Sequence, residues 1–152
     1  MRHSAPFRAL LGAGSHGLPA AAPVEFGNGF HLPPSPNTAL VAPPESPLPA
    51  HRRVAPFPVP PAALLAALRR VAASRPRCTL LAEWPERGQA QWVERTRWAN
   101  FPDILVAQVL PEPAGAALVL YSRSLFGWSD FGVNGRRVAA WLAALDAELR
   151  SA

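Results

Sequence analysis

Asp103-Ile104-Leu105-Val106-Ala107-Gln108-Val109-Leu110, followed after a short connector by Ala116-Ala117-Leu118-Val119-Leu120-Tyr121-Ser122-Arg123, is the stretch that decides the fold. Both segments have strand length, and in both the two alternating side-chain sets are apolar. Ile104, Val106 and Leu110 oppose Leu105, Ala107 and Val109, and Val119 and Tyr121 oppose Leu118 and Leu120. A sheet with one wet face alternates apolar and polar residues. These strands are therefore expected to be covered on both faces. One cover is a layer of helices. For the other, the order of preference is the Pro-rich N-terminal arm, a second copy of the chain (a homodimer through the sheet), and a bound apolar ligand.

Two more strands are expected upstream, over residues 78–83 and 89–98. The connectors 84–88, 99–102 and 111–115 are short enough for hairpins, so the four strands should form an antiparallel meander. Residues 53–59 read as an edge strand because Pro56 and Pro58 remove ladder donors. Pro60-Pro61 then opens a helix, with Leu64, Leu65, Leu68 and Val71 on one stripe and Pro76 beyond its end. A last helix over about 135–150 places Val138, Trp141, Leu142, Leu145 and Leu149 on one face, with Asn134 as its expected N-cap. The order β-α-β-β-β-β-α gives an α+β fold. It is an antiparallel sheet of about five strands with two helices on one face.

Of the 19 prolines in the 152-residue chain, fourteen fall in residues 1–61. Proline blocks regular helix and central strand. The chain is thus divided into a flexible tail (1–23), a Pro-rich extended arm (24–50) and a single α+β domain (51–152). In the arm, Val24, Phe26, Phe30, Leu32, Leu40 and Val41 are apolar anchors. A signal peptide is disfavoured because Gly12, Gly14, Ser15, His16 and Gly17 break the apolar centre. No run of 18 apolar residues exists, so no transmembrane helix is expected. The expected location is cytoplasmic, with peripheral association at an envelope left open. One cysteine, Cys78, excludes an internal disulfide framework, and no cofactor or metal site is expected.

The net charge of +5 invites a nucleic-acid reading. All 15 basic residues are Arg, which fits a codon bias that replaces Lys on an ordinary surface. Weak nucleic-acid binding through the Arg-rich stretch 52–97 therefore ranks last among the functional readings.

Residues 121–138 could carry chemistry. Arg136 and Arg137 follow Asn134 in the first turn of the last helix, where the dipole is unfavourable to cations. An acidic side chain or a bound anion should offset that repulsion. One reading is a salt bridge from Arg137 or Arg123 to Asp130 or Asp103 that locks the loop onto the sheet end. The other is an anion-binding loop at the helix N-terminus, with Arg123, Ser129, Asp130, Asn134 and Arg137 as the candidate ligand-binding set. A hydrolase using Ser124 or Ser129 with Asp130, within 122–137, is the enzymatic alternative. It lacks a base, since His3, His16, His31 and His51 lie in or beside the arm, and no catalytic residue is assigned. The preferred reading is a non-catalytic binding or scaffolding domain for a small anionic or amphipathic molecule.

Tyr121-Ser122-Arg123-Ser124, with Gly127, Ser129-Asp130-Phe131-Gly132-Val133-Asn134 and Arg137-Val138, resembles the C-terminal signature of the domain-of-unknown-function 1499 family. Phe101-Pro102-Asp103 and Leu110-Pro111 are similar to its alphaproteobacterial branch, as are Ser35-Pro36-Asn37 and Leu40-Val41-Ala42-Pro43. The resemblance spans about residues 24–150 and implies a small bacterial or plant protein. It marks Asn37, Asp103, Gly127 and Gly132 as structural motif positions and supplies no catalytic residue. Members usually carry Arg after the Asn, where this chain has Gly135. The resemblance also implies that the arm belongs to the domain and docks on the sheet.

Overall fold

A computed structural model describes residues 9–151. Six strands form one sheet: β1 (Thr38–Ala42), β2 (Arg52–Arg53), β3 (Cys78–Trp84), β4 (Gln89–Arg95), β5 (Pro102–Glu112) and β6 (Gly115–Ser124). Among the described residues, two long helices, α1 (Pro61–Ser74) and α2 (Val133–Arg150), complete the α+β fold. The spatial order is β2-β1-β6-β5-β4-β3. From β3 to β6 the strands form the expected meander.

The sheet departs from expectation at its other edge. There are six strands rather than about five, and one pair, β1 with β2, is parallel. The added strand, β1, lies inside the Pro-rich arm and pairs antiparallel with β6. Thr38–Ala42 holds no proline, so its N–H groups are free to join the ladder. The strand expected over 53–59 shrinks to Arg52–Arg53 and one bridge between Phe57 and Ala116, because Pro56 and Pro58 interrupt it.

Alternation sorts the side chains. On one face, Ala39, Val41, Trp92, Leu105, Ala107, Leu118 and Leu120 pack with Leu64, Leu68 and Val71 of α1 and Val138, Trp141, Leu142 and Leu145 of α2. Trp92 and Trp141 meet with ring centroids 5.3 Å apart. On the other face, Leu40, Val93, Ile104, Val106, Val119 and Tyr121 form a second cluster. Leu18, Val24, Phe26, Phe30 and Leu32 pack over it, and Phe26 and Phe30 meet the Tyr121 ring edge-on. The two-sided apolar strands are thus covered by helices on one face and by the N-terminal segment on the other. Polar bonds anchor that segment: Gln89 Nε2 donates to the Val24 carbonyl (2.9 Å) and Gln91 Nε2 to that of Ala22 (2.7 Å). Residues 9–16, inside the stretch expected to be a flexible tail, also touch the body, through bonds from Arg95 and Asn100.

Candidate functional site

One end of the sheet collects the C-terminal ends of β4 and β6, the start of β5, the start of α2 and the chain just before β1. Glu94, Asp103, Ser122, Ser124 and Asn37 share the helix face here by the same alternation that buries Trp92, Leu105, Leu120 and Ala39. Arg137, one turn into α2, lies over that polar row. Its Nη2 donates to Asp103 Oδ2 (2.7 Å), its Nη1 to Asn134 Oδ1 (2.8 Å) and Ser122 Oγ (3.2 Å), and its Nε to Glu94. Arg75, just after α1, holds the same Glu94 from the other side at 2.7 Å. Arg137, Glu94 and Asp103 are all at least nine-tenths buried.

Two buried carboxylates against two guanidiniums leave no net charge in this cluster. Burial disfavours the Glu94 carboxylate, but the bonds from Arg75 and Arg137 outweigh it and hold Glu94 below the usual range. At Asp103 burial wins over Arg137, and the carboxyl is pushed up. Burial, followed by the nearby Glu94 carboxylate, pushes the Cys78 thiol up to about 12, which keeps it a neutral, unreactive thiol.

Asp130 serves the helix N-terminus. Its Oδ1 accepts from the Gly132 amide (2.8 Å) and its Oδ2 from the Asn134 amide (2.9 Å) and side chain (2.7 Å). Burial opposes the Asp130 carboxylate, yet these bonds hold it below its ordinary value. The helix therefore starts two residues before the expected position, and Asn134 is not its N-cap. Asn134 is fully buried and acts as a hub, donating to the Asn37 carbonyl (2.9 Å) and to Ser124 Oγ (2.8 Å), with Ser122 donating to it. Asn37 in turn donates to the Gly127 carbonyl (2.8 Å). Gly127 and Gly132 both adopt left-handed φ, 78° and 82°, which glycine takes without steric cost.

The expected ligand set thus separates. Asp130, Asn134 and Arg137 come together, as do the motif positions Asn37 and Asp103, but their polar groups are turned on one another. Ser129 is exposed and its Oγ accepts from the Phe131 amide. Arg123 lies on the opposite face from Arg137, in the row of Val119 and Tyr121, and is exposed. The alternation in 118–123 already carried that signal.

Beside the buried cluster lies a cleft of about 380 Å³ whose residues sequence reasoning did not group. It is lined by Arg75, Arg77, Arg95, Arg97, Arg136 and Arg137, with Glu94 as its single acid. Arg95 is 3% exposed, and its guanidinium meets only carbonyl oxygens, including those of Gly14 (2.8 Å) and His16 (3.0 Å). Arg77, Arg97 and Arg136 are exposed and form no ion pair among the described residues. Four guanidiniums here therefore lack a carboxylate. The only advance signal was the pair of Arg-x-Arg spacings at 75–77 and 95–97.

A second cavity of about 340 Å³ adjoins the first, sharing Thr96, Arg97 and Val133. Its walls are aromatic, from Trp98, Phe101, Phe126 and Phe131, above Asp103, Asp130 and Ser124. All three non-glycine residues with left-handed φ among those described, Arg77, Asn100 and Phe131, lie at this end. Such strain gathers where surrounding structure imposes it, often at binding sites. Among the described residues, no group of three His, Cys, Asp or Glu side chains is placed to hold a metal ion, and no helix is long and apolar enough to cross a membrane.

No curated protein matches the chain. Among solved structures, protein MLL2253 from Mesorhizobium loti is similar in fold, with a TM-score of 0.53 and 13% identity over 75% of this chain and 97% of that one. Protein CV1439 from Chromobacterium violaceum aligns with a TM-score of 0.40 and 15% identity over 74% of this chain and 95% of that one. A family model described as "Protein of unknown function (DUF1499)" matches residues 31–145, from the arm before β1 to the last turns of α2, and the chain belongs to that family.

Proposed function

We propose that the protein is a non-catalytic binding domain for a small amphipathic anion, held where the two cavities meet. The acidic head would lie against Arg77, Arg97 and Arg136, with Arg95 behind them, and the apolar part against Trp98, Phe101, Phe126 and Phe131. The observation that carries this reading is the junction itself: Arg97, which has no carboxylate partner among the described residues, lines both the arginine-rich cleft and the aromatic pocket beside it. Planar guanidinium groups suit carboxylate and phosphate oxygens, and apolar pockets with a few placed polar groups suit small ligands. This moves the anion site from the helix N-terminus, where Asp130 already occupies the amides, to the cleft beside it.

A hydrolase reading has little to work with. Ser122 and Ser124 are bonded to Asn134, and Asp130 is bonded to backbone amides. His51, the histidine nearest the domain in sequence, accepts from the Leu40 amide on the far side of β1 (2.9 Å).

Isothermal titration tests the proposal. Octyl phosphate should bind at least about tenfold more tightly than inorganic phosphate, since burying even two methylenes yields more than the 1.4 kcal/mol this requires. Octylammonium should not bind. Binding of octylammonium in preference, or of none of the three, would overturn the reading.

A further inference from the structure

We propose that the same end of the molecule docks on an anionic lipid bilayer, with Leu11, Trp98, Trp128 and Phe131 entering the interface and Arg77, Arg97, Arg123 and Arg136 facing acidic headgroups. The bilayer would then be the source of the amphipathic anion, so in part the inference rests on the binding reading above. It also stands on residues that line neither cavity, Leu11, Trp128 and Arg123.

The first observation is where the exposed apolar surface lies. Among the described residues seven large hydrophobic side chains are exposed, and five of them sit at this end. Trp98 and Phe131 are each 87% exposed, Leu11 79%, Trp128 64% and Phe101 42%. They come from three separate segments, 9–14, 96–101 and 125–132. The first is fastened to the second, because Asn100 Nδ2 donates to the carbonyls of Leu10 (2.9 Å) and Gly12 (2.7 Å) on either side of Leu11. Scattered exposed apolar residues need no explanation, but a clustered patch of large ones marks an interaction surface. Tryptophan is the side chain most at home at the boundary of headgroups and hydrocarbon.

The second observation is charge. The carboxylates of this end, Glu94, Asp103 and Asp130, are all bound to guanidiniums or amides. The exposed acids lie elsewhere. Glu86 and Glu112 sit at the β3–β4 and β5–β6 turns, at the opposite end of the sheet, and Glu25 and Glu45 share a cavity with Glu112 there. Asp146 lies about 20 Å along α2 from its start. Arg52, Arg53 and Arg150 are exposed elsewhere, so what sets this end apart is that cations without carboxylates coincide with five of the seven exposed large apolar side chains. Each arginine near an anionic membrane strengthens attachment about fivefold. The aromatic side chains crowd loop tips instead of spacing out along a groove, which favours a bilayer over a single-stranded nucleic acid.

Co-sedimentation of the full chain with vesicles tests the proposal. The protein should pellet with vesicles of phosphatidylglycerol and phosphatidylcholine in equal parts, should not pellet with phosphatidylcholine alone, and should be released by salt. Trp128→Ala combined with Leu11→Ala should weaken partitioning about tenfold or more while leaving octyl phosphate binding and thermal melting unchanged. Arg123→Ala should weaken partitioning about fivefold. Failure to pellet, pelleting that ignores the Trp128/Leu11 variant, or tight binding to an oligonucleotide without vesicle binding would each overturn docking. If octyl phosphate fails to bind while loop-dependent pelleting persists, the cavity reading falls and docking stands. If the reverse holds, docking falls alone.

Discussion

Arg137 and Arg97 line the same cleft, yet one is 5% exposed with all three nitrogens bonded, while the other stands exposed with its guanidinium 4.6 Å over the Trp98 ring. The buried cluster around Arg137 is closed. Its charges cancel, its amide and hydroxyl groups satisfy one another, and its work is to tie α2 to the ends of β4, β5 and β6. The group around Arg97 is open, with cations that have no carboxylate and an apolar pocket beside them. The same residue type is structural in one place and available in the other. What separates the two is how many acceptors the fold has already placed around each guanidinium.

The largest test of that contrast is Arg137→Ala. It strands Asp103 and removes one partner of Glu94, so stability should fall by about 3–5 kcal/mol in urea unfolding, the usual cost of breaking a buried pair. A loss of under about 1 kcal/mol would show the cluster to be dispensable.

The pH dependence is sharper still. Glu94 has a depressed folded pKa, so its stabilisation is present above the ordinary glutamate pKa and is lost as pH falls through the folded value. Asp103 has a raised one and acts with the opposite sign, favouring the fold at low pH and losing that contribution as pH rises through the folded value. Glu94→Gln should therefore flatten the acid limb of the stability curve, and Asp103→Asn should leave that limb in place. Equal flattening by both would contradict the assignment.

A smaller effect is expected at Gly132. Alanine there must hold φ near 82° with Arg136 Nη1 about 3.0 Å from its Cβ, so thermal unfolding should report a loss of about 1 kcal/mol. The smallest effect on stability belongs to the open group. Arg97→Ala with Arg136→Ala should change stability by no more than about 0.5 kcal/mol while weakening octyl phosphate about tenfold or more, as for loss of charged hydrogen bonds. A variant that binds as before would dissolve the contrast.

Periodicity, with short connectors and proline boundaries, made the meander, both helices and the two-sided burial of β5 and β6 readable in the sequence. It failed at β1, because fourteen prolines in residues 1–61 masked the five-residue Thr38–Ala42 window that lacks one. The family resemblance pointed at that window through Ser35 to Pro43. The salt-bridge reading from Arg137 to Asp103 is what the geometry contains. No spacing in the sequence links Glu94 to Arg137, although its parity with Trp92 places it on the core face of β4. The cleft was not readable, because Arg75, the Arg95–Arg97 pair and Arg136 come from three places in the chain, and only the packing of strand ends against a helix start brings them together.

The most direct test of the binding account is an amide chemical-shift map of the ¹⁵N-labelled protein titrated with octyl phosphate. Binding where the two cavities meet gives saturable shifts confined to residues 75–77, 95–101 and 126–136. Shifts that cluster instead around 43–48 and 108–112 at the opposite end of the sheet, or no shifts at all, would contradict it.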